Sequence, residues 1–302
     1  MNGEGEMKKN KTSAVVFFVV LIIILIVAVA YFYLKDSVLL GPSGSTEVSV
    51  TVGNSPPVII STITIPNVNL NPATSSTDVV FTFSARDPNG LGDLVDSSAF
   101  AQFTKAGEAT RSNTCVLQFV GAGYKTYRCT VQMQYYDASG SWNVAVSISD
   151  ASGATASSSS TFTVNLLRDI SLSPATINFP AVSPGQSNVL ASDQTTITNN
   201  GNFVAPPGSI LATSYDLSGE TNPLEKIPAA NFMAAGSLLA TDVCTGGIAL
   251  TSGTATGLTN AQLARGASGN TESLRYCLTL VPDVSSQVYS ASGGNSWVIA
   301  IS

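Results

Sequence analysis

The 302-residue sequence carries 13 Lys and Arg against 19 Asp and Glu, and only 11% of its residues are charged. It holds no histidine, which excludes Ser-His-Asp and Cys-His catalysis and most zinc sites. The acidic balance leaves no basic face for nucleic acid or anionic lipid.

Residues 1–13 form a short, mixed-charge tail. Ala14–Leu34 follows as a 21-residue apolar run without a charge or a proline. At ~1.5 Å per residue it spans about 32 Å, matching the roughly 30 Å hydrocarbon core of a bilayer. Lys8, Lys9 and Lys11 precede it and Lys35 follows, so the positive-inside rule predicts a cytoplasmic N-terminus and a cell-membrane protein with residues 35–302 extracytoplasmic. Tyr31 and Tyr33 suit the interface. Ala28-Val29-Ala30 also fits a signal-peptidase site, but a signal h-region spans only ~7–15 residues, so a retained transmembrane helix over 14–34 is the expectation.

Outside the membrane, ten Lys and Arg face seventeen Asp and Glu, a net charge of −7. Residues 35–55 are a stalk or linker: Asp36–Thr46 is rich in Gly, Pro and Ser, and Glu47–Val52 (EVSVTV) alternates as a lone strand that needs a sheet to join. Gly53-Asn54-Ser55-Pro56-Pro57 then opens a compact domain over 56–166. Val58–Ile65 and Val79–Ala85 are its first expected strands, and Asp87-Pro88-Asn89-Gly90 is a turn.

Four cysteines, Cys115, Cys129, Cys244 and Cys277, make an even set in an exported chain and favour disulfides. Thr114–Val120 and Thr126–Met133 flank a glycine-rich reversal, and a hairpin centred on Ala122 sets Cys115 opposite Cys129. Facing Cα atoms lie about 4.5–5.5 Å apart, within disulfide range. That leaves Cys244 with Cys277. Period-two alternation puts Leu117, Phe119, Tyr127, Val131 and Met133 on the cysteines' face, towards the core.

Gly140–Gly153 (GSWNVAVSISDASG), followed by the Thr/Val-rich Ala154–Asn165, resembles the late strand pair of polycystic-kidney-disease-type (PKD-like) and related archaeal and bacterial immunoglobulin-like modules. The Asn54-Ser55-Pro56-Pro57 and Asp87-Pro88-Asn89-Gly90 segments are also similar to that group. The strict family's Trp-Asp-Phe-Gly-Asp-Gly signature is missing, so the resemblance is to the superfamily. After a short hinge at Leu166–Asp169, a second domain over 170–302 resembles immunoglobulin-like surface modules. The likeness lies in Ile170–Phe179, Val182–Gly185 and Thr195–Asn202, and in a closing run of Leu278–Pro282, Val288–Ser290 and Trp297–Ile301. Between these, Pro223–Ala235 is expected to form one or two helical turns and Thr251–Gly269 a polar loop, an insertion stapled by Cys244–Cys277. The resemblance implies an all-β chain of two tandem immunoglobulin-like β-sandwiches behind one N-terminal transmembrane helix, in a prokaryotic surface protein.

Asp87, Asn89, Asp93 and Asp150 are the acidic group with the oxygens that Ca²⁺ asks for. Without cadherin-type motifs or an EF-hand loop they are read as turn-forming residues, and no metal ligand, catalytic residue or cofactor-binding residue is assigned. Ser292–Asn295 lacks the strand, helix and Gly-Lys-Ser/Thr context of a phosphate cradle. The expected role is therefore non-enzymatic: adhesion, cell-surface architecture or partner binding. The expected partners are the membrane, protein or glycan at the surface, or a second copy, with no nucleic acid. Two alternatives stand beside it, a filament-like subunit assembling by strand addition through Glu47–Val52 and an extracellular hydrolase.

Overall fold

In the computed structural model, residues 7–37, 44, 46–73, 75–291 and 295–302 are described. The first six tail residues, most of the Asp36–Thr46 stalk and most of the Ser292–Asn295 loop lie outside them. Helix α1 (Met7–Ser37) contains Ala14–Leu34, a stretch long and apolar enough to cross a membrane, whose side chains are all exposed. Among the described residues Glu47–Val52 forms no ladder, and Val48, Val50 and Val52 are 81–83% exposed.

Residues 54–302 form a second unit, and it is mostly β. Its first module runs β1 (Val58–Ile59), β2 (Ser76–Arg86), β3 (Phe100–Thr104), β4 (Arg111–Thr114), β5 (Val116–Gly121), β6 (Tyr124–Gln134), β7 (Gly140–Ser149) and β8 (Thr155–Val164). Two antiparallel sheets, β1-β2-β6-β5 and β4-β3-β7-β8, face each other.

Alternation accounts for the packing: Trp142, Val144, Val146 and Ile148 of β7 meet Phe81, Phe83, Phe103, Tyr127 and Phe162 in one core. Each such side chain contributes about 1.5–3 kcal/mol by leaving water. The one polar atom of Trp142 is satisfied, its Nε1 donating to the Ala138 carbonyl at 2.7 Å. Beneath this core's edge, buried Asp137 accepts from Arg111, whose guanidinium also lies over the Tyr136 ring.

Several expectations need correction here. The strand expected over 58–65 pairs only at Val58–Ile59, beyond which the chain is irregular while still burying Ile63 and Ile65. In the β5–β6 hairpin Val116 faces Arg128 and Leu117 faces Tyr127, the register that sets Cys115 against Cys129, and these two are bonded with Cα atoms 4.3 Å apart. A bulge after Leu117 then shifts the pairing, so that Phe119 faces Thr126 and the reversal tightens to Ala122–Gly123. Leu117 and Phe119 are therefore exposed on an edge strand, while Tyr127, Val131 and Met133 are buried.

The second module comprises β9 (Ile170–Ser173), β10 (Ser187–Leu190), β11 (Thr195–Asn199), β12 (Ile210–Thr213), β13 (Leu217–Gly219), β14 (Lys226–Ile227), β15 (Phe232–Ala235), a short α2 (Val243–Gly246), β16 (Ile248–Ala249), β17 (Ala255–Gly257), β18 (Thr271–Leu280), β19 (Tyr289–Ser290) and β20 (Val298–Ile301). One sheet runs β16-β15-β18-β11-β9, with β10 also on β18; β17-β12-β20 and β14-β13-β19 make two smaller sheets. Pro223–Ala235 holds one of the expected helical turns, the 3₁₀ turn Ala229–Asn231, and a tight turn at Pro223–Leu224; the rest is mostly extended, and β15 joins β18 through Phe232–Ala235. Thr251–Gly269 is less polar than expected, contributing β17 and buried Leu258, Ala261 and Leu263. Cys244, on α2, is bonded to Cys277 of β18 and clamps that helix to the sheet.

Leu166–Asp169, read as a hinge, is held by backbone and side-chain bonds. Asn202 N donates to the Leu167 carbonyl, Asn200 N to that of Asp169, and Leu167 N to Asn202 Oδ1. Arg265 pairs with Glu108 and donates to the Tyr136 carbonyl, so the modules are bolted together across their junction.

Candidate metal centre

Three loops converge at the end of the first module away from that junction. The first follows β2, where Asp87 Oδ1 accepts from Asn89 N at 2.7 Å and closes an Asx turn. Gly90 then takes φ 118°, a backbone that only glycine adopts without strain, and a single 3₁₀ turn, Leu91–Asp93, delivers Asp93. The second loop joins β7 to β8: Asp150 Oδ1 accepts from Ala154 N and from the Ser152 hydroxyl, and Gly153 at φ 88° completes the reversal. The third is the segment at Asn54–Ser55. Asn54 Nδ2 donates to Asp150 Oδ2 at 2.9 Å and to Ser152 Oγ at 2.7 Å, while Ser55 N donates to Asn89 Oδ1 at 2.7 Å.

The result is a carboxylate cluster. One oxygen from each of Asp87, Asp93 and Asp150 lies within 4.8 Å of the other two. That spacing is what oxygens about 2.4 Å from a shared Ca²⁺ would show, two such bonds back to back spanning about 4.8 Å. Asp87 and Asp150 are buried and Asp93 is half-buried. Asp87 Oδ2 is buried, and among the described residues no hydrogen-bond donor reaches it. An ionised oxygen in that position costs several kcal/mol unless a positive charge faces it. None of the three ion pairs among the described residues reaches the cluster.

The Asn54 amide, with the Ser152 hydroxyl and the Ala154 N–H, holds the Asp150 carboxyl below the usual carboxylate range, so it stays an anion. The chemistry of this donor set is hard oxygen, suited to Ca²⁺ and not to soft or borderline metals.

Of the four residues singled out in the sequence, the structure brings together Asp87, Asp93 and Asp150; Asn89 spends its side-chain oxygen on Ser55 N. Asn54 was missed as a participant. Its signal was the Asn-Ser-Pro-Pro run, where prolines fix the chain direction just after the amide. Neither a protein-family profile nor a curated protein matches the chain.

Proposed function

We propose that the chain is a membrane-anchored, extracytoplasmic surface protein in which two immunoglobulin-like, PKD-like sandwiches act as a Ca²⁺-locked spacer for adhesion or surface architecture. The observation that carries this reading is the triad of Asp87, Asp93 and Asp150, together with the buried Asp87 Oδ2 that no donor among the described residues reaches. Asn54 joins the same cluster and is the first residue of the unit that follows Glu47–Val52. An ion there ties the loops at 54–55, 87–93 and 150–154 into one rigid tip, next to the segment leading from the anchor.

The junction bonds between the modules and the two disulfides suit a load-bearing, non-catalytic role in an oxidising compartment. The apolar α1 supports the anchor. Calorimetric titration of the detergent-solubilised chain with Ca²⁺ tests the reading: one ion per chain is expected, with binding abolished in Asp87→Asn. A chain that takes up no Ca²⁺ at 10 mM would overturn it.

A further inference from the structure

Residues 54–55 bridge the carboxylate cluster as a strap with a foot on each of its two buried members. Asn54 Nδ2 donates directly to Asp150 Oδ2. Ser55 N donates to Asn89 Oδ1, and Asn89 N donates in turn to Asp87 Oδ1. Both feet therefore end on carboxylates that lie within 4.8 Å of each other and of Asp93. The first ladder pair of this stretch, Val58 with Arg86, comes only after Pro56 and Pro57.

An ionised carboxylate has about four lone-pair sites. Among the described residues three are occupied at Asp150, two on Oδ1 by Ala154 N and the Ser152 hydroxyl and one on Oδ2 by Asn54. The site left is on Oδ2, the oxygen that the strap holds. At Asp87, which is 7% exposed, the Asx turn takes Oδ1, and no donor among the described residues reaches Oδ2. Each foot thus fixes one buried carboxylate and leaves it an oxygen for a cation. With no cation the three carboxylates repel across 4.8 Å or less and push apart the loops on which the feet stand. A divalent ion between them turns that repulsion into attraction.

We propose that strap and ion form one coupled equilibrium: Ca²⁺ at Asp87, Asp93 and Asp150 clamps residues 54–55, and the clamped strap in turn holds the ion. This deepens the Ca²⁺-locked reading above and rests on it. Asn54 and Asn89 are positioning residues, acting through Asp150 and Asp87. Reciprocity links the two effects, since the factor by which Ca²⁺ favours the docked strap is the factor by which docking raises Ca²⁺ affinity. Outer-shell partners of metal ligands are typically worth about 10–100-fold in affinity. The chain enters the unit at Asn54, so a pull arriving through Gly53 meets this strap before the first strand, and Ca²⁺ sets how firmly it is held.

The test uses the full chain in mild detergent, with Ca²⁺ as the added ligand. Hydrogen exchange at the Ser55 amide should slow about tenfold or more on saturating wild type with Ca²⁺, and should be indifferent to the ion in Asp87→Asn. Calorimetric titration should show Asn54→Ala and Asn89→Ala each still taking one ion, about tenfold or more weakly. Asn89→Ala keeps the backbone N–H that closes the Asx turn. The double variant should bind no more weakly than the weaker single one, because either change frees the same strap. A wild type that binds Ca²⁺ while Ser55 exchange ignores it, or either single variant binding as wild type does, would overturn the strap and leave the ion site standing. A wild type that takes up no Ca²⁺ overturns both.

Discussion

Neutralising Asp87 separates a metal site from a hydrogen-bonded turn, because the two accounts predict opposite signs. Asp87→Asn keeps the side-chain oxygen that accepts from Asn89 N, so the Asx turn survives. It removes one of the carboxylates that lie within 4.8 Å of each other. At that distance and an effective dielectric of about 20, the repulsion between Asp87 and Asp93 has a ceiling of about 3.5 kcal/mol, of which salt and water leave about 1 kcal/mol. Without Ca²⁺ the variant should therefore be more stable than wild type by about 1 kcal/mol. With Ca²⁺ the order reverses. A surface-type site with a Kd of about 10⁻⁴–10⁻³ M, held at 10 mM Ca²⁺, stabilises wild type by about 1.4–2.7 kcal/mol and the variant by nothing. Thermal unfolding of the two chains in chelator and in Ca²⁺ reads both effects, as a wild-type rise of roughly 3–10 °C on adding the ion. A wild type indifferent to Ca²⁺, with D87N less stable than wild type in chelator, would show that the cluster is turn chemistry alone.

Three further outcomes are expected. Protease applied to intact cells should digest the chain down to a fragment retaining α1, whereas a cytoplasmic chain would survive until lysis. Replacing Cys244 and Cys277 by Ala opens a 33-residue loop and should cost about 3–4 kcal/mol in denaturant unfolding, with the larger share of lost protection in α2 and β18; an unchanged midpoint would refute the clamp. Glu225 accepts from the Ser285 hydroxyl and N–H, the Tyr289 hydroxyl and Gln287, which hold its carboxyl down to about 2. A depressed carboxylate stabilises the fold fully above its unfolded pKa, so this contribution should fade as pH falls from about 4.5 towards 2. A Glu225 carbon-13 titration midpoint near 4.5 would contradict the network.

Local sequence pattern carried much of the fold. Alternation in Gly140–Ser149 and Thr126–Met133 reflects the inward and outward faces of β7 and β6, because a sheet with one buried face writes its period into the chain. The Cys115–Cys129 pairing was legible because the two cysteines flank one short reversal at nearly equal distance, although the turn alone would offset them by one residue and the bulge restores the register. What escaped were features set by distant partners. The bulge after Leu117 has no residue signature, and it sends Phe119 to solvent. Phe232–Ala235 looks helical in isolation and becomes strand because β18, some forty residues later, offers an edge. The carboxylate cluster lay half in view: its residues were visible as turn-formers, but the bond from Asn54 to Asp150 spans 96 positions. Only the closed sandwich brings those turns together.

Crystals grown with and without Ca²⁺, with anomalous diffraction collected from both, test the central claim most directly. The account predicts one anomalous peak per chain, with oxygens of Asp87, Asp93 and Asp150 about 2.3–2.6 Å from it. A water in that position, or three carboxyls hydrogen-bonded to one another with no peak between them at saturating Ca²⁺, would contradict it.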